Sequence, residues 1–327
     1  MDKQVKKLIS IVIPCVNEEG NIGKLLSQLS FIIANNKNNF EVIVVNDGSK
    51  DDTWKVIDKY SHKYDFVIGI DQMGNFGQSQ AYQAGFDIAN GDYILTLSAD
   101  LEIPTDNILK VIKYLDEGYD FVNTNRIKRW SEESMRKTKS GLANMILNKI
   151  SGIKIQDRGS GLKGMTKALA KELQFYGDMH RFIPDYLSVY KPRIIEFEVE
   201  FKDREYGVSA YKKSSRSLKV FLDILTLVFL VKLAHKPFFM MPGRLFGITG
   251  FVLGLSGFVI TAIMIFERVA FGYGLTTRPL FTLAITMILI GLILLLFGLF
   301  GELMMRVYYE SSNRKRYMTK KIVGSKM

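Results

Sequence analysis

Cysteine is all but missing from this sequence: Cys15 is the only one in 327 residues. No intrachain disulfide can form, so nothing in the chain demands an oxidising compartment. A lone thiol beside a short apolar run reads as a small core residue rather than a nucleophile. Histidine is scarce too, with three in all, and no His/Cys cluster has the spacing of a zinc site. Charge is nearly absent from residues 244–305. Residues up to about Arg204 instead alternate charged and apolar stretches, as a soluble domain does. Length and hydropathy together describe a water-soluble module joined to a membrane module.

A cleavable leader is not expected either. Leu8-Ile9-Ser10-Ile11-Val12-Ile13 is short for an export signal. It runs into Pro14 and Asn17-Glu18-Glu19 instead of a small-residue cleavage site, so it is expected to be a first buried strand.

What the chain has in excess is positive charge, +11 with a pI of about 9.4. Such a balance implies an anionic partner. The densest clusters, Tyr211-Lys212-Lys213-Ser214-Ser215-Arg216 and Asn313-Arg314-Lys315-Arg316, lie just outside the apolar segments. That position favours membrane lipid headgroups and argues against nucleic acid.

The first half repeats one unit. Ile9–Ile13, Glu41–Val45, Phe66–Ile70 and Tyr93–Leu97 are short β-branched or apolar runs. Between them, Asn21–Ala34, the segment from Asp51 or Asp52 to His62, and Gln78–Asn90 have helical spacing. The pattern predicts an α/β domain with a mostly parallel sheet and helices on both faces. Ligands of such sheets bind at the carboxyl ends of the strands. Three polar clusters fall there: Asn17-Glu18-Glu19, Asn46-Asp47-Gly48-Ser49 and Ser98-Ala99-Asp100-Leu101-Glu102. Later, Ile195, Phe197, Val199 and Phe201 alternate with Glu196, Glu198, Glu200 and Lys202, a half-buried strand with one wet face. Leu218, Phe221, Leu222, Leu225, Val228 and Phe229 share one face of a basic amphipathic helix suited to the membrane interface.

Two segments, near Leu245–Phe266 and Leu280–Met304, are long enough to cross a bilayer. Lys232, Lys236, Arg244, Arg306, Arg314, Lys315 and Arg316 flank the pair, against Arg268 and Arg278 in the link. Positive charge on the outer flanks places both termini in the cytosol. Gly247, Gly250, Gly254 and Gly257 allow close helix contact, either within the pair or in a homo-oligomer. The expected domains are 1–210 (catalytic), 211–243 (juxtamembrane), 244–306 (two spans) and 307–327 (basic cytosolic tail).

Chemistry concentrates at the polar clusters. Asp47 follows a strand and precedes a glycine. There it either accepts a nucleobase imide N–H or caps a turn. Asp100 and Glu102, two apart in a strand-like stretch, are expected to point the same way and share a hard divalent cation with two phosphates. Asp157-Arg158-Gly159-Ser160-Gly161 is a Gly-rich polar turn that either presents an acid and backbone amides to an anion or is a simple loop. His180, in Met179-His180-Arg181-Phe182, reads as a packing or hydrogen-bonding residue. Arg204, Ser209, Tyr211, Lys212 and Lys213 form a basic, hydroxyl-rich stretch suited to a phosphate.

Five motifs in order carry a resemblance. They are Ile11-Val12-Ile13-Pro14 with Asn17-Glu18-Glu19, Val44–Ser49, Asn75-Phe76-Gly77-Gln78, Ala99–Pro104 and Tyr176–Pro184. Together they resemble the family 2 glycosyltransferases, and most closely the polyprenyl-phosphate branch, over essentially the whole chain. The resemblance implies a GT-A (Rossmann-like) fold followed by an amphipathic interfacial helix and two transmembrane helices. It implies inverting transfer of one sugar from a nucleotide sugar, UDP-glucose as first choice, to polyprenyl (undecaprenyl) phosphate, in a bacterial-type plasma membrane. It puts Pro14, Asn17, Glu18, Asp47, Asn75, Gln78 and Ser98 around the nucleotide sugar and Asp100 and Glu102 at Mg2+ or Mn2+. Asp157 becomes base or acceptor-orienting acid beside the catalytic Asp100, and Arg204, Ser209, Tyr211, Lys212 and Lys213 hold the acceptor phosphate.

Two departures stand out. The family's D-x-D-x-Q is Ser98-x-Asp100-x-Glu102 here: one carboxylate is lost and one gained, so Glu102 is expected to take over the charge of the missing acid. The family's S-K-Y is Ser209-Ala210-Tyr211, with Lys212 or Lys213 as the substitute cation. An anionic phosphate acceptor needs little proton abstraction, so Asp157→Asn is expected to be less damaging than Asp100→Asn. Competing readings are transfer to a lipid or glycan hydroxyl, and a non-catalytic membrane-tethered nucleotide-sugar binder.

Overall fold

The computed structural model describes residues 6–127, 144–145, 147–149, 151–175, 179–202, 242–272, 274–275, 278–310 and 319–323. Contacts divide the chain into two units, one of residues 1–227 and 315–327, the other of residues 228–314.

The first unit is a mixed sheet. β1 (Leu8–Cys15), β2 (Asn39–Asn46), β3 (Val67–Gln72) and β4 (Tyr93–Thr96) are joined by α1 (Glu19–Ala34), α2 (Thr53–Lys63) and α3 (Gln78–Ile88). After α4 (Asn107–Asp116) come β5 (Phe121–Ile127), β6 (Lys163–Thr166) and β7 (Ile194–Glu200). A last strand, β8 (Thr319–Val323), follows the long helices. The order across the sheet is β7-β5-β6-β4-β1-β2-β3-β8. β1 to β4 are parallel, β5 and β7 are parallel, and β6 and β8 run against their neighbours. The strands and helices that the sequence pattern predicts are observed to within a few residues, whereas α4, β5 and β6 are not predicted by it. β8 could not be anticipated, because it pairs with β3 some two hundred and fifty residues earlier in the chain.

Apolar periodicity drives the layers. Ile9, Ile11 and Ile13 of β1, Val42 and Val44 of β2, and Leu95 and Leu97 of the β4 region point to one face. There they meet Ile22, Leu25, Leu26 and Leu29 of α1, Ile57 of α2, and Ile108, Val111 and Leu115 of α4. All of these are at most 2 % exposed, and each contributes roughly 1.5–3 kcal/mol by leaving water. α3 covers the opposite face. Its Gly85 lies so close to β1 that a Cβ there would stand 2.3 Å from Val12 Cγ1. Cys15 is buried in the core as expected, and burial pushes its thiol pKa well up.

In the second unit, two long helices span Pro242–Phe271 and Pro279–Glu310. Their apolar parts, Phe246–Phe271 and Pro279–Gly301, are 26 and 23 residues long. At 1.5 Å per residue these reach about 35–39 Å, enough for a hydrocarbon core of about 30 Å. The glycines work within the pair. A Cβ on Gly250 would stand 2.6 Å from the Gly291 oxygen, and one on Gly257 would stand 2.6 Å from the Ala284 oxygen. Gly247 meets nothing within 4 Å. In the link, Arg278 pairs with Glu267 at 2.6 Å.

Candidate active site

The polar clusters gather at the carboxyl ends of the strands, in two groups. The first lies beyond β1, β2 and β3. Asp47 accepts the amides of Phe76 at 2.7 Å and Gly77 at 3.0 Å, one on each oxygen. Burial raises its pKa, and the two amides partly oppose the rise. Gly48, at φ +66°, packs on the same loop: a Cβ would stand 2.4 Å from the Gly74 carbonyl carbon. Only glycine fits both the left-handed backbone and that approach. Asn17, at φ +55°, donates its amide to Ser49 Oγ at 2.9 Å and accepts the Lys50 amide at 2.9 Å. Glu18 donates its amide to Thr53 Oγ1 at 2.8 Å, and its carboxylate accepts Asn21 Nδ2 at 2.6 Å. Asn46 donates to Asp71 at 2.8 Å. Pro14 is buried within β1, while Asn75 is exposed and Gln78 half-buried at the start of α3.

The second group lies beyond β4, β5 and β7. The expectation that Asp100 and Glu102 share a strand face is corrected here. β4 ends at Thr96, and Leu101 adopts φ +57°, so the acids sit on a turn without strand alternation. The Glu102 amide approaches Asp100 Oδ1 at 3.4 Å, and the Glu102 carbonyl accepts the Lys202 amide at 2.9 Å. Ser98 is backed by the polar turn: a Cβ on Gly161 would stand 1.8 Å from its hydroxyl.

Asp157 is gripped on several sides. Arg126 donates Nε at 2.6 Å and Nη2 at 3.0 Å to its two oxygens, and Gly159 adds its amide at 3.1 Å. Arg126 Nη1 reaches Glu102 Oε2 at 3.4 Å. Behind this turn, Glu196 accepts Asn123 Nδ2 at 2.7 Å and the amides of Gln156 and Asp157 at 2.9 and 3.1 Å. Glu196 therefore holds a loop instead of facing water with Glu198 and Glu200. Arg158 forks onto Asp185 at 2.7 and 2.8 Å in a buried pair, the carboxylate 0 % exposed. Lys163 is buried beneath the turn and donates to the Ser160 carbonyl. Burial pushes its pKa down to about 8.

His180 is buried, 2.9 Å from Ser79 Oγ and packed on Tyr82, and burial lowers its pKa to about 3. It is a neutral packing and hydrogen-bonding residue, as the sequence implied. Arg204, Ser209, Tyr211, Lys212 and Lys213, and the amphipathic segment 218–229, lie outside the described residues.

Sequence reading missed Arg126, Glu196 and the Arg158–Asp185 pair. Arg126 had one available signal, a charged residue a few positions beyond the apolar pair Phe121-Val122. Glu196 and Asp185 had none, because their partners come from distant segments.

Among the described residues, no three acidic, thiol or imidazole side chains converge on one point. The hard-oxygen donors at the β4 turn are Asp100 and Glu102. Two carboxylates suit a divalent cation whose other ligands are diphosphate oxygens, so the residues present fit such an ion.

A mostly parallel mixed sheet with acids at its carboxyl edge, in a chain that also carries two long apolar helices, has the α/β architecture of the GT-A fold. The chain belongs to glycosyl transferase family 2, whose profile matches residues 10–174. It is 33 % identical to the undecaprenyl-phosphate 4-deoxy-4-formamido-L-arabinose transferase of Proteus mirabilis, over 97 % of this chain and 94 % of that one. It is 31 % identical to the dodecaprenyl-phosphate galacturonate synthase of Rhizobium johnstonii, over 96 % and 92 %. Among solved structures, the glucosyl-3-phosphoglycerate synthase of Mycobacterium tuberculosis in complex with uridine-diphosphate aligns at a TM-score of 0.51 and 17 % identity. That alignment covers 68 % of this chain and 79 % of the other, and it supports the fold alone.

Proposed function

We propose that this transferase moves one sugar from a nucleotide sugar to a polyprenyl phosphate, with inversion, at the cytosolic face of the plasma membrane. The observation that carries the reading is the near-full-length similarity to two transferases named for polyprenyl-phosphate acceptors. It spans the sheet and both apolar helices. The sugar is the open half. UDP-glucose is the sequence-based choice, whereas the relatives are named for a formamido-arabinose and a galacturonate. β8 follows the second long helix yet belongs to the same sheet as β1. An even number of crossings must separate them, which supports two spans with β1 and β8 on the same side of the membrane.

In this reading the β1–β3 group, including Pro14, Asn17, Glu18, Asp47, Asn75 and Gln78, receives the nucleoside, with Ser98 nearer the sugar. Asp100 and Glu102 would hold Mg2+ or Mn2+, which stabilises the diphosphate as it leaves. A phosphate oxygen of the acceptor attacks the anomeric carbon. The bond from that carbon to the diphosphate breaks, and the nucleoside diphosphate departs with the electron pair. The acceptor is already anionic near neutral pH, so the chain's main task is in-line positioning. Both oxygens of Asp157 are occupied by Arg126 and an amide, which favours an orienting acid over a base. Arg204, Ser209, Tyr211, Lys212 and Lys213 are assigned to the acceptor phosphate.

The test is turnover of a panel by the full chain in nanodiscs: UDP-glucose, UDP-galactose, UDP-N-acetylhexosamines, a UDP-hexuronate and GDP-mannose, with undecaprenyl phosphate. One mild-acid-labile, lipid-phosphate-linked sugar per lipid is expected. Turnover only with a hydroxyl acceptor, or chains of several sugars, would refute the proposal.

A further inference from the structure

Arg181 differs from the other cations near the 157–161 turn. Arg126 holds Asp157, Arg158 forks onto Asp185, and Lys163 donates to the Ser160 carbonyl. Arg181 is half-buried and has neither a hydrogen bond nor an ion pair among the described residues. Taking a guanidinium partly out of water without a counter-charge is unfavourable. Its planar fork suits two anionic oxygens at once.

The residues on either side of Arg181 are anchored. In the helical turn Met179–Phe182, His180 donates its amide to Ser79 Oγ at 3.2 Å. Its Nδ1 lies 2.9 Å from the same oxygen, and its ring packs on Tyr82. Ser79 and Tyr82 belong to α3, and the loop just before α3 supplies the Phe76 and Gly77 amides to Asp47. In the short helix that follows, Ile183–Leu187, Asp185 takes the fork of Arg158 from the 157–161 turn. Lys163, beneath that turn, is close enough to His180 to oppose its protonation. Position 181 thus stands between an anchor on the Asp47 group and an anchor on the Asp157 turn. A donor with its nucleoside in the first group and its leaving group at the second must cross this junction.

We propose that Arg181 is a donor-binding residue whose guanidinium receives anionic oxygens carried beyond the first phosphate of the nucleotide sugar. The two sources of such oxygens are the outer phosphate and a carboxylate on the sugar. In either case Arg181 fixes the donor between the two groups, and in the second it also selects the sugar. This rests on the reading of the Asp47 group as the nucleoside end of the site.

The experiment is calorimetric titration of the full chain in nanodiscs, with Mn2+ present, using UMP, UDP, UDP-glucose and UDP-glucuronate. For Arg181→Gln, a loss of about tenfold or more in UDP affinity with UMP affinity kept assigns the outer phosphate. A similar loss for UDP-glucuronate, with UDP and UDP-glucose kept, assigns a sugar carboxylate. Arg181→Lys retains the charge without the fork, so it should recover part of whichever affinity is lost. Unchanged affinity for every ligand means an arginine that faces only solvent. Equal losses for every ligand, UMP included, mean that it merely shapes the fold. Either result overturns the proposal. If Arg181→Gln does not fold, Arg181→Lys replaces it: the same selective loss should appear at smaller size, and its absence sinks the idea. Wild-type protein that binds none of these ligands would instead bring down the nucleotide-sugar reading itself.

Discussion

The two ends of the sheet's carboxyl edge are built from different forces. Beyond β1–β3, side chains bind mostly backbone amides and neutral groups: Asp47 takes two amides, Asn17 takes another, and Gly48 docks against Gly74. Beyond β4–β7, the main connections are ionic: Arg126 with Asp157 and Glu102, and Arg158 with Asp185. Backbone-held geometry is stiff, insensitive to salt and intolerant of an added carbon. Ion-paired geometry tolerates shape but fails when one charge is removed, because the partner is stranded in a buried place. The contrast suits a division in which one end fits a fixed nucleoside and the other manages charge during transfer.

The largest effect should come from the ionic end. With Asp100 on the metal side of the proposed site, Asp100→Asn is expected to lower the single-turnover rate about a thousandfold, with Asp157→Asn at about ten- to a hundredfold. Equal losses at saturating substrate would contradict the ranking of the two acids.

Next comes stability at the same end. Asp185→Asn breaks the buried fork with Arg158 and should cost about 3–5 kcal/mol in denaturant unfolding. A cost under about 1 kcal/mol would mean that the ionic end is not held by its charges.

At the other end, Gly48→Ala should cost at least about 1–2 kcal/mol from the left-handed backbone alone, and UDP affinity measured by calorimetry should fall with it. Gly152→Ala is the control. That glycine has φ +73° with nothing within 4 Å of the added carbon, so only strain should register and UDP binding should persist. Equal UDP affinity in both variants would remove the backbone end from nucleoside binding.

The smallest effect is with pH. His180 has a folded pKa of about 3, lowered first by burial and further by Arg181 and Lys163, against about 6.5 in the unfolded chain. The unfolded state takes up the proton first as pH falls. Its contribution to stability is therefore complete above pH 6.5 and declines below it, by about 1.4 kcal/mol per pH unit toward pH 3. Wild-type protein should lose Tm between pH 6.5 and 5 faster than His180→Gln.

Much of this was legible in residue order. Short β-branched runs alternating with helical spacing gave the parallel sheet, and its carboxyl ends picked out Asn17, Asp47 and Asp100. Those signals are local, set by side-chain periodicity and by the rule that links must turn at strand ends. What could not be read was which charges meet. Arg126 and Asp157 are thirty-one residues apart, and Asn123 and Glu196 are seventy-three apart.

Sequence by itself determined the charged and apolar regions, the alternation of β1–β4 with α1–α3, and the family. Only the tertiary structure decided that Glu102 lies on a turn beside an arginine, that Glu196 supports a loop instead of facing water, and that the last strand returns to the sheet. Periodicity is written along the chain. Charge pairing and edge pairing depend on which distant segments the packed core brings within a few ångströms, and no local pattern encodes that distance.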